Sequence, residues 1–430
     1  MARTEECILY RNFDNGEVLD RMTSLMNSYE AGEEGFENRK EEFFHMAGSL
    51  VEMAGMYGFS GNLWHTYLTQ LLVNHENAFS TASEIRGAVE GSINHLALHD
   101  FGIFKELYDF DLSVFDRVFG TDCADFLCNY VNTGCNSKVY NQRICDRICD
   151  MSKTLAEAMA DMVQFYKDFG VGKLGLNKAF RIEHGKDGKP MIVPITRIAH
   201  VNLDDLVGYE IPKQKLIENT EAFVRGRKAN NCLLFGDAGT GKSSSIKGIL
   251  NRYYDEGLRI IEVYKHQFQD LNDVIAQIKN RNYKFILYMD DLSFEEFEIE
   301  YKYLKAVIEG GLEKKPDNIL IYATSNRRHL VREKSGDKLE VADDEDLHSS
   351  DTVQEKLSLV YRFGVRIYFG APNKKEFQNI VTTLAERYGV TMPAEELLMK
   401  ANAWELSHGG LTGRTAQQFI DHVLGTSEEQ

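Results

Sequence analysis

The chain lacks any apolar run of 18 residues, so nothing in it reads as a membrane-spanning helix and no membrane partner is expected. Its start, Met1-Ala2-Arg3-Thr4-Glu5-Glu6-Cys7, lacks the basic stretch and apolar core of a secretory leader, so a cytoplasmic location is expected. Positive charge is in deficit. The formal net charge of −17 argues against broad, non-specific binding to nucleic acid, although it leaves room for a local basic groove. Cysteine is sparse, 7 in 430 residues, too few for a disulfide scaffold. Five of these, Cys123, Cys128, Cys135, Cys145 and Cys149, cluster without forming C-x-x-C. Cys145 and Cys149 stand one helical turn apart, a spacing that also suits a metal or redox site, but buried reduced thiols are the expected reading. His95 and His99 are spaced alike beside Asp100; with no third ligand nearby, one face of an ordinary helix is expected. The first 175 residues carry no catalytic motif and no clear repeat.

What is present is a phosphate-binding sequence. Cys232-Leu233-Leu234-Phe235 is an apolar run. It leads into Gly236-Asp237-Ala238-Gly239-Thr240-Gly241-Lys242-Ser243-Ser244, and a helical pattern follows. That is the layout of a phosphate loop between a buried strand and a helix. The glycines let the backbone turn sharply and present N–H groups to phosphate oxygens. The helix beginning near Lys242 points its positive end at the same anion. Lys242 can reach the β- and γ-phosphates, and the Ser243 hydroxyl can ligate Mg²⁺. ATP or ADP with Mg²⁺ is therefore the expected ligand.

The composition, 43% hydrophobic and 27% charged, is that of a globular protein, and the length allows two or three domains. Residues 1–175 read as a helical N-terminal domain, with apolar residues at three- and four-residue spacing in stretches such as Leu63–Leu72 and Ser152–Met159. Its frequent aromatics, Phe43, Phe44, Phe101 and Phe104 among them, are expected in the core. Residues 176–200 read as a hairpin or linker around the turn signal Gly185-Lys186-Asp187-Gly188-Lys189. Residues 201–371 alternate strand and helix patterns, with strands expected at Asn231–Phe235, Arg259–Tyr264, Lys284–Met289, Asn318–Thr324 and Val365–Phe369. This rhythm predicts an α/β fold with a parallel five-stranded sheet flanked by helices. Residues 372–430 read as a helical lid. Residues 333–355 hold nine acidic residues against two lysines and are expected to form an exposed loop.

The later motifs separate one class of phosphate-loop protein from another. Phe285-Ile286-Leu287-Tyr288-Met289 ends in Asp290 and Asp291. Asp290 is placed to organise Mg²⁺ and its waters, and Asp291 to polarise an attacking water as general base. Glu295 and Glu296 are the alternative bases, and capping of the next helix is the non-catalytic alternative for the pair. Asn318–Thr324 leads through Ser325 to Asn326, an amide that could position the water opposite the γ-phosphate. Arg362 precedes the last strand, and Gly413-Arg414 opens a late helix.

In motif content and order, residues 200–425 resemble an AAA+ ATPase module. The Gly-Asp-Ala-Gly-Thr-Gly-Lys-Ser, Met-Asp-Asp-Leu-Ser-Phe-Glu and Gly-Leu-Thr-Gly-Arg-Thr-Ala stretches are similar to a bacterial family of predicted AAA+ ATP-binding proteins of unassigned function. The resemblance implies that Asn326 is the first sensor and Arg414 the second. It also makes Arg362 an arginine finger acting on a neighbouring subunit's nucleotide. Leu203–Glu210 resembles the segment that packs against adenine, which places Val207 and Gly208 there. A homo-oligomeric ring such as a hexamer is implied, with an unidentified protein or nucleic-acid client.

Two features depart from the resemblance. The acid pair is Asp-Asp where Asp-Glu is usual, which suits slower or switch-like hydrolysis, although replication initiators and helicase loaders share it. Tyr264–Asp270 lacks the aromatic–apolar–Gly tripeptide of protein-threading members, and Phe268 within it is expected to pack. The leading expectation is an ATPase that remodels a macromolecular client. The runner-up is a slowly hydrolysing nucleotide switch or loader, and a small-molecule kinase ranks below both. For Arg362 the alternative to a finger is a pair with a nearby carboxylate such as Glu355 that steadies the lid junction.

Overall fold

The computed structural model describes residues 4–88, 90–132, 153–185, 187–195, 198, 201–294, 300–309, 316–326 and 358–427. The chain divides into two compact units, Met1–Leu176 and Asn177–Gln430.

The first unit is helical: α1 (Glu17–Glu30), α2 (Lys40–Tyr57), α3 (Leu63–Asn74), α4 (Ala78–Arg86), α5 (Ser92–Asp109), α6 (Ser113–Phe119), α7 (Cys123–Cys128), α8 (Leu155–Phe169) and α9 (Gly172–Leu176). Start signals are chemical. Asn77 caps α4 and Thr154 caps α8, each with a reciprocal capping box. α3 is buried nearly all round and is correspondingly central, with Trp64 and Leu68 fully buried. Most of the aromatics do pack: Phe43, Phe101, Phe104 and Phe115 are fully buried, whereas Phe44 is exposed. His99 bonds to Asp100 through Nδ1 at 3.0 Å. Cys123 and Cys128 are free thiols whose pKa values are raised, chiefly by burial; Cys135, Cys145 and Cys149 lie outside the described residues.

Asp100 on α5 is a fully buried carboxylate. It accepts the backbone N–H groups of Ile8, Leu9 and Tyr10 at 2.6 to 3.0 Å and so ties the N-terminal segment to the helical core. Asp100→Ala strands these donors. The expected cost is about 3 kcal/mol, from losing hydrogen bonds to a charged acceptor. Urea unfolding of the full chain followed on this unit checks it, and an unchanged midpoint would refute the anchoring role.

The second unit is built on a seven-stranded sheet, β1 (Ala179–His184), β2 (Pro190–Pro194), β3 (Cys232–Gly236), β4 (Leu258–Glu262), β5 (Lys284–Met289), β6 (Ile319–Ser325) and β7 (Val365–Phe369), in the order β2-β1-β4-β5-β6-β3-β7. All neighbours are parallel except β1 and β2. β5 and β6 are buried on both faces, which explains their unbroken apolar character. The helices are α10 (Glu210–Val224), α11 (Lys242–Tyr253), α12 (Leu271–Ile278), α13 (Glu300–Glu309), α14 (Lys374–Arg387), α15 (Ala394–Ser407) and α16 (Gly413–Ser427). α14 to α16 enclose their own core around Phe377, Ile380, Phe419 and Ile420.

The five expected strands are present, and two more, β1 and β2, extend the sheet. Of the two readings of 176–200, the hairpin is the one observed. Gly185 and Lys189 close its turn, and β1 adds to the sheet by pairing parallel with β4 (Phe180 opposite Ile261). An isolated hairpin is marginal in water; an open sheet edge gives it partners. The acidic stretch 333–355 lies outside the described residues.

Candidate functional site

Strand order builds the site. β6 lies between β3, which carries the phosphate loop, and β5, which carries the acid pair. The residues that end these three strands therefore meet outside their carboxyl ends, where ligands of open α/β sheets bind.

The loop's shape depends on its glycines. Gly236 has φ 134°, and a Cβ there would stand 2.1 Å from the Phe369 carbonyl oxygen on β7. Gly239 has φ 73°, and its missing Cβ leaves room for Thr412 and Arg414 at the start of α16. Thr240 Oγ1 donates to the Asp237 carbonyl at 2.8 Å, and Asp237 binds the end of β7 through its own N–H and its carboxylate. Ala238 is exposed on the loop, Gly241 caps α11 in the left-handed region, and Ser244 follows in the helix's first turn. Lys242 is 6% exposed and donates through Nζ to the carbonyls of Gly236 (3.0 Å) and Asp237 (2.5 Å). Burial lowers its pKa, while Asp237, Asp291 and Asp290 push the other way.

Asp290 accepts three hydroxyls on one oxygen, Oδ1: Thr324 at 2.6 Å, Tyr288 at 2.7 Å and Ser243 at 2.8 Å. Partial burial alone would raise its pKa, but these hydroxyls, Thr324 foremost, hold it below the ordinary carboxylate value. Stability from this depressed acid is present above the ordinary value and is lost as pH falls through the lowered one. Burial and the adjacent carboxylate keep the Tyr288 phenol protonated, as a donor. Asp291 sits in the left-handed region, φ 48°, and its Oδ1 accepts Asn326 Nδ2 at 2.8 Å. Glu295 and Glu296 lie outside the described residues.

The helical lid closes onto the loop. The Arg414 N–H donates to the Gly239 carbonyl at 3.2 Å, and its side chain is exposed near Lys242. Arg387 on α14 donates to the carbonyls of Asp204 and Asp205, fixing the segment expected at adenine. Within that segment Val207 packs against the lid core, while Gly208 turns with φ 81°. Tyr209 stacks on Phe369 at 5.5 Å. Arg362 stands apart from these contacts. Its guanidinium donates to the Ser358 carbonyl (2.6 Å) and hydroxyl (2.7 Å) and pairs with Glu309. The carboxylate beside it is thus Glu309, while Glu355 lies outside the described residues. Phe268 is 2% exposed and meets Phe294 edge-on, so it packs.

Thr324 and Tyr288 were not singled out in the sequence. Strand alternation could have flagged them, since residues two apart share a face: Tyr288 with Asp290, and Thr324 with Asn326. Among the described residues no group of three His, Cys, Asp or Glu could hold a metal, and no helix is long and apolar enough to cross a membrane.

The fold is similar to solved structures. A point mutant of RuvB from Thermotoga maritima is 17% identical over 54% of this chain and 68% of that one, with a TM-score of 0.38. The FIGL-1 AAA domain in complex with ADP is 16% identical over 54% and 76%, TM-score 0.36. PCH-2 of C. elegans is 18% identical over 53% and 70%, TM-score 0.34. No curated protein matches the chain. Residues 176–427, more than half of the sequence, match the family described as "Protein of unknown function (DUF815)", and the chain belongs to that family.

Proposed function

We propose that this chain is an AAA+ ATPase that binds ATP with Mg²⁺, hydrolyses it, and couples hydrolysis to remodelling of a macromolecular client within a homo-oligomeric ring. One observation carries the reading. Two hydrogen-bonded pairs, Ser243–Asp290 and Asn326–Asp291, stand side by side at the loop that holds Lys242. Ser243 Oγ and the Asp290 carboxylate are hard oxygen donors of the kind Mg²⁺ takes, and they would hold it. When bound, the ion neutralises charge on the phosphates. Loop N–H groups and Lys242 bind the phosphates. Asp291 accepts a proton from water, Asn326 orients that acid, and Arg414 brings a positive charge from the lid. Arg362 acts on the nucleotide of a neighbouring copy. The helical first unit selects the client, a protein or a nucleic acid, in the cytoplasm.

Asp291→Asn tests the reading. ATP affinity should persist while turnover falls about 10²-fold, the scale of a lost general base. Unchanged turnover would move the base to Glu295 or Glu296. The hydrogen bond that holds the short Asp291 side chain on Asn326 favours a second reading, a slowly hydrolysing switch or loader. Steady-state turnover measured against protein concentration separates the two: a ring ATPase gains activity per chain as it assembles.

A further inference from the structure

Between the two acids lies a hydroxyl with no assigned role. Thr324 Oγ1 donates to Asp290 Oδ1 at 2.6 Å and accepts the backbone N–H of Asp291 at 2.9 Å. The carbonyl of the same threonine accepts the N–H of Leu292 at 2.7 Å. Thr324 is 1% exposed, so water does not share these bonds. They hold Asp290, Asp291 and Leu292 in turn. Asp291 has φ 48°, a conformation uncommon for a residue with a side chain, though least disfavoured for Asp and Asn.

The geometry follows from the sheet. Thr324 and Asn326 stand two apart where β6 ends, so they project to the same side. Asn326 grips the Asp291 carboxylate and Thr324 grips the Asp291 backbone. An aspartate fixed at both points has its carboxylate aimed. Released from the left-handed region, the backbone would swing that carboxylate away from its place beside the loop. Asp290 keeps two further donors to the same oxygen, Tyr288 and Ser243, when the Thr324 hydroxyl is lost.

We infer that Thr324 is a positioning residue for the hydrolytic step: it locks Asp291 in the left-handed conformation that directs its carboxylate at the attacking water. This rests on the reading of Asp291 as general base.

The test uses Thr324→Val and Thr324→Ser in the full chain, each with Asp291 intact and with Asp291→Asn. Valine keeps the shape and loses both bonds; serine keeps the hydroxyl. Thr324→Val should lower kcat about 10- to 100-fold with ATP affinity held within about threefold. Thr324→Ser should stay within about threefold of the parent. In the Asp291→Asn background the valine substitution should cost under about threefold, because the residue it positions has lost its function. A purely structural threonine would give the same loss in both backgrounds, and that result overturns the proposal, as does unchanged kcat in a folded Thr324→Val chain. Should Thr324→Val not fold, Thr324→Ala is read by the same criteria. If the parent chain neither binds nor hydrolyses ATP, the ATPase reading fails and the proposal falls with it. A parent that hydrolyses ATP beside an equally active valine variant removes the positioning role alone.

Discussion

A Lys242→Ala chain should bind ATP roughly 10- to 100-fold more weakly and show no measurable turnover, the expected loss of a charge-assisted phosphate contact in a partly dehydrated site. Lys242 is 6% exposed, and its ammonium is held on the Gly236 and Asp237 carbonyls at the mouth of the loop. Those carbonyls cannot substitute for it, since they offer negative dipoles where a phosphate needs positive charge. Direct titration with ATP measures the effect, with an unfolding curve as control. Affinity within about threefold of the parent would remove the phosphate-loop assignment.

Arg362→Ala should lower turnover about 10³-fold while ATP still binds, the contribution of a finger that neutralises transition-state charge. In the isolated chain the guanidinium is parked on Ser358 and Glu309. The Glu309 pair is partly exposed, 26% and 41% for the two side chains, so it is worth little and would not hold Arg362 back from the proposed contact with a neighbour's phosphate. Mixing separates the roles. Arg362→Ala and Lys242→Ala are each expected to be inactive alone. Together they form interfaces joining an intact loop to an intact finger, and activity should return. No recovery from folded, co-assembling variants would remove the trans role.

Much of the fold was legible. All five strands expected after residue 200 are present, β5 and β7 with the expected ends and the other three with ends shifted by one or two residues. β3, β5 and β6 read clearly because strands buried on both faces need unbroken apolar runs. The hairpin was ambiguous because its two strands are short, with mixed burial, and its turn is charged. What made β1 and β2 part of the sheet was the free edge of β4, a feature of another segment. Arg362 was similarly half legible. Its place before β7 could be read from the sequence; its partner Glu309, on a helix far back in the chain, could not.

Within the candidate site the division follows range along the chain. The phosphate loop is a contiguous motif whose expected chemistry is local: glycines for φ, a lysine for charge and a serine for the proposed metal, all in one short stretch. The amino-acid order therefore determined it, and likewise the acid pair that ends β5. The bridge from Thr324 to Asp290 and Asp291 was decided only by tertiary structure. It exists because β6 inserts between β3 and β5, and no single-chain pattern states which strands become neighbours. Neighbours are chosen by the burial of whole strand faces, a free energy summed over many side chains. The hydroxyl that ends up between the acids is a consequence of that sum.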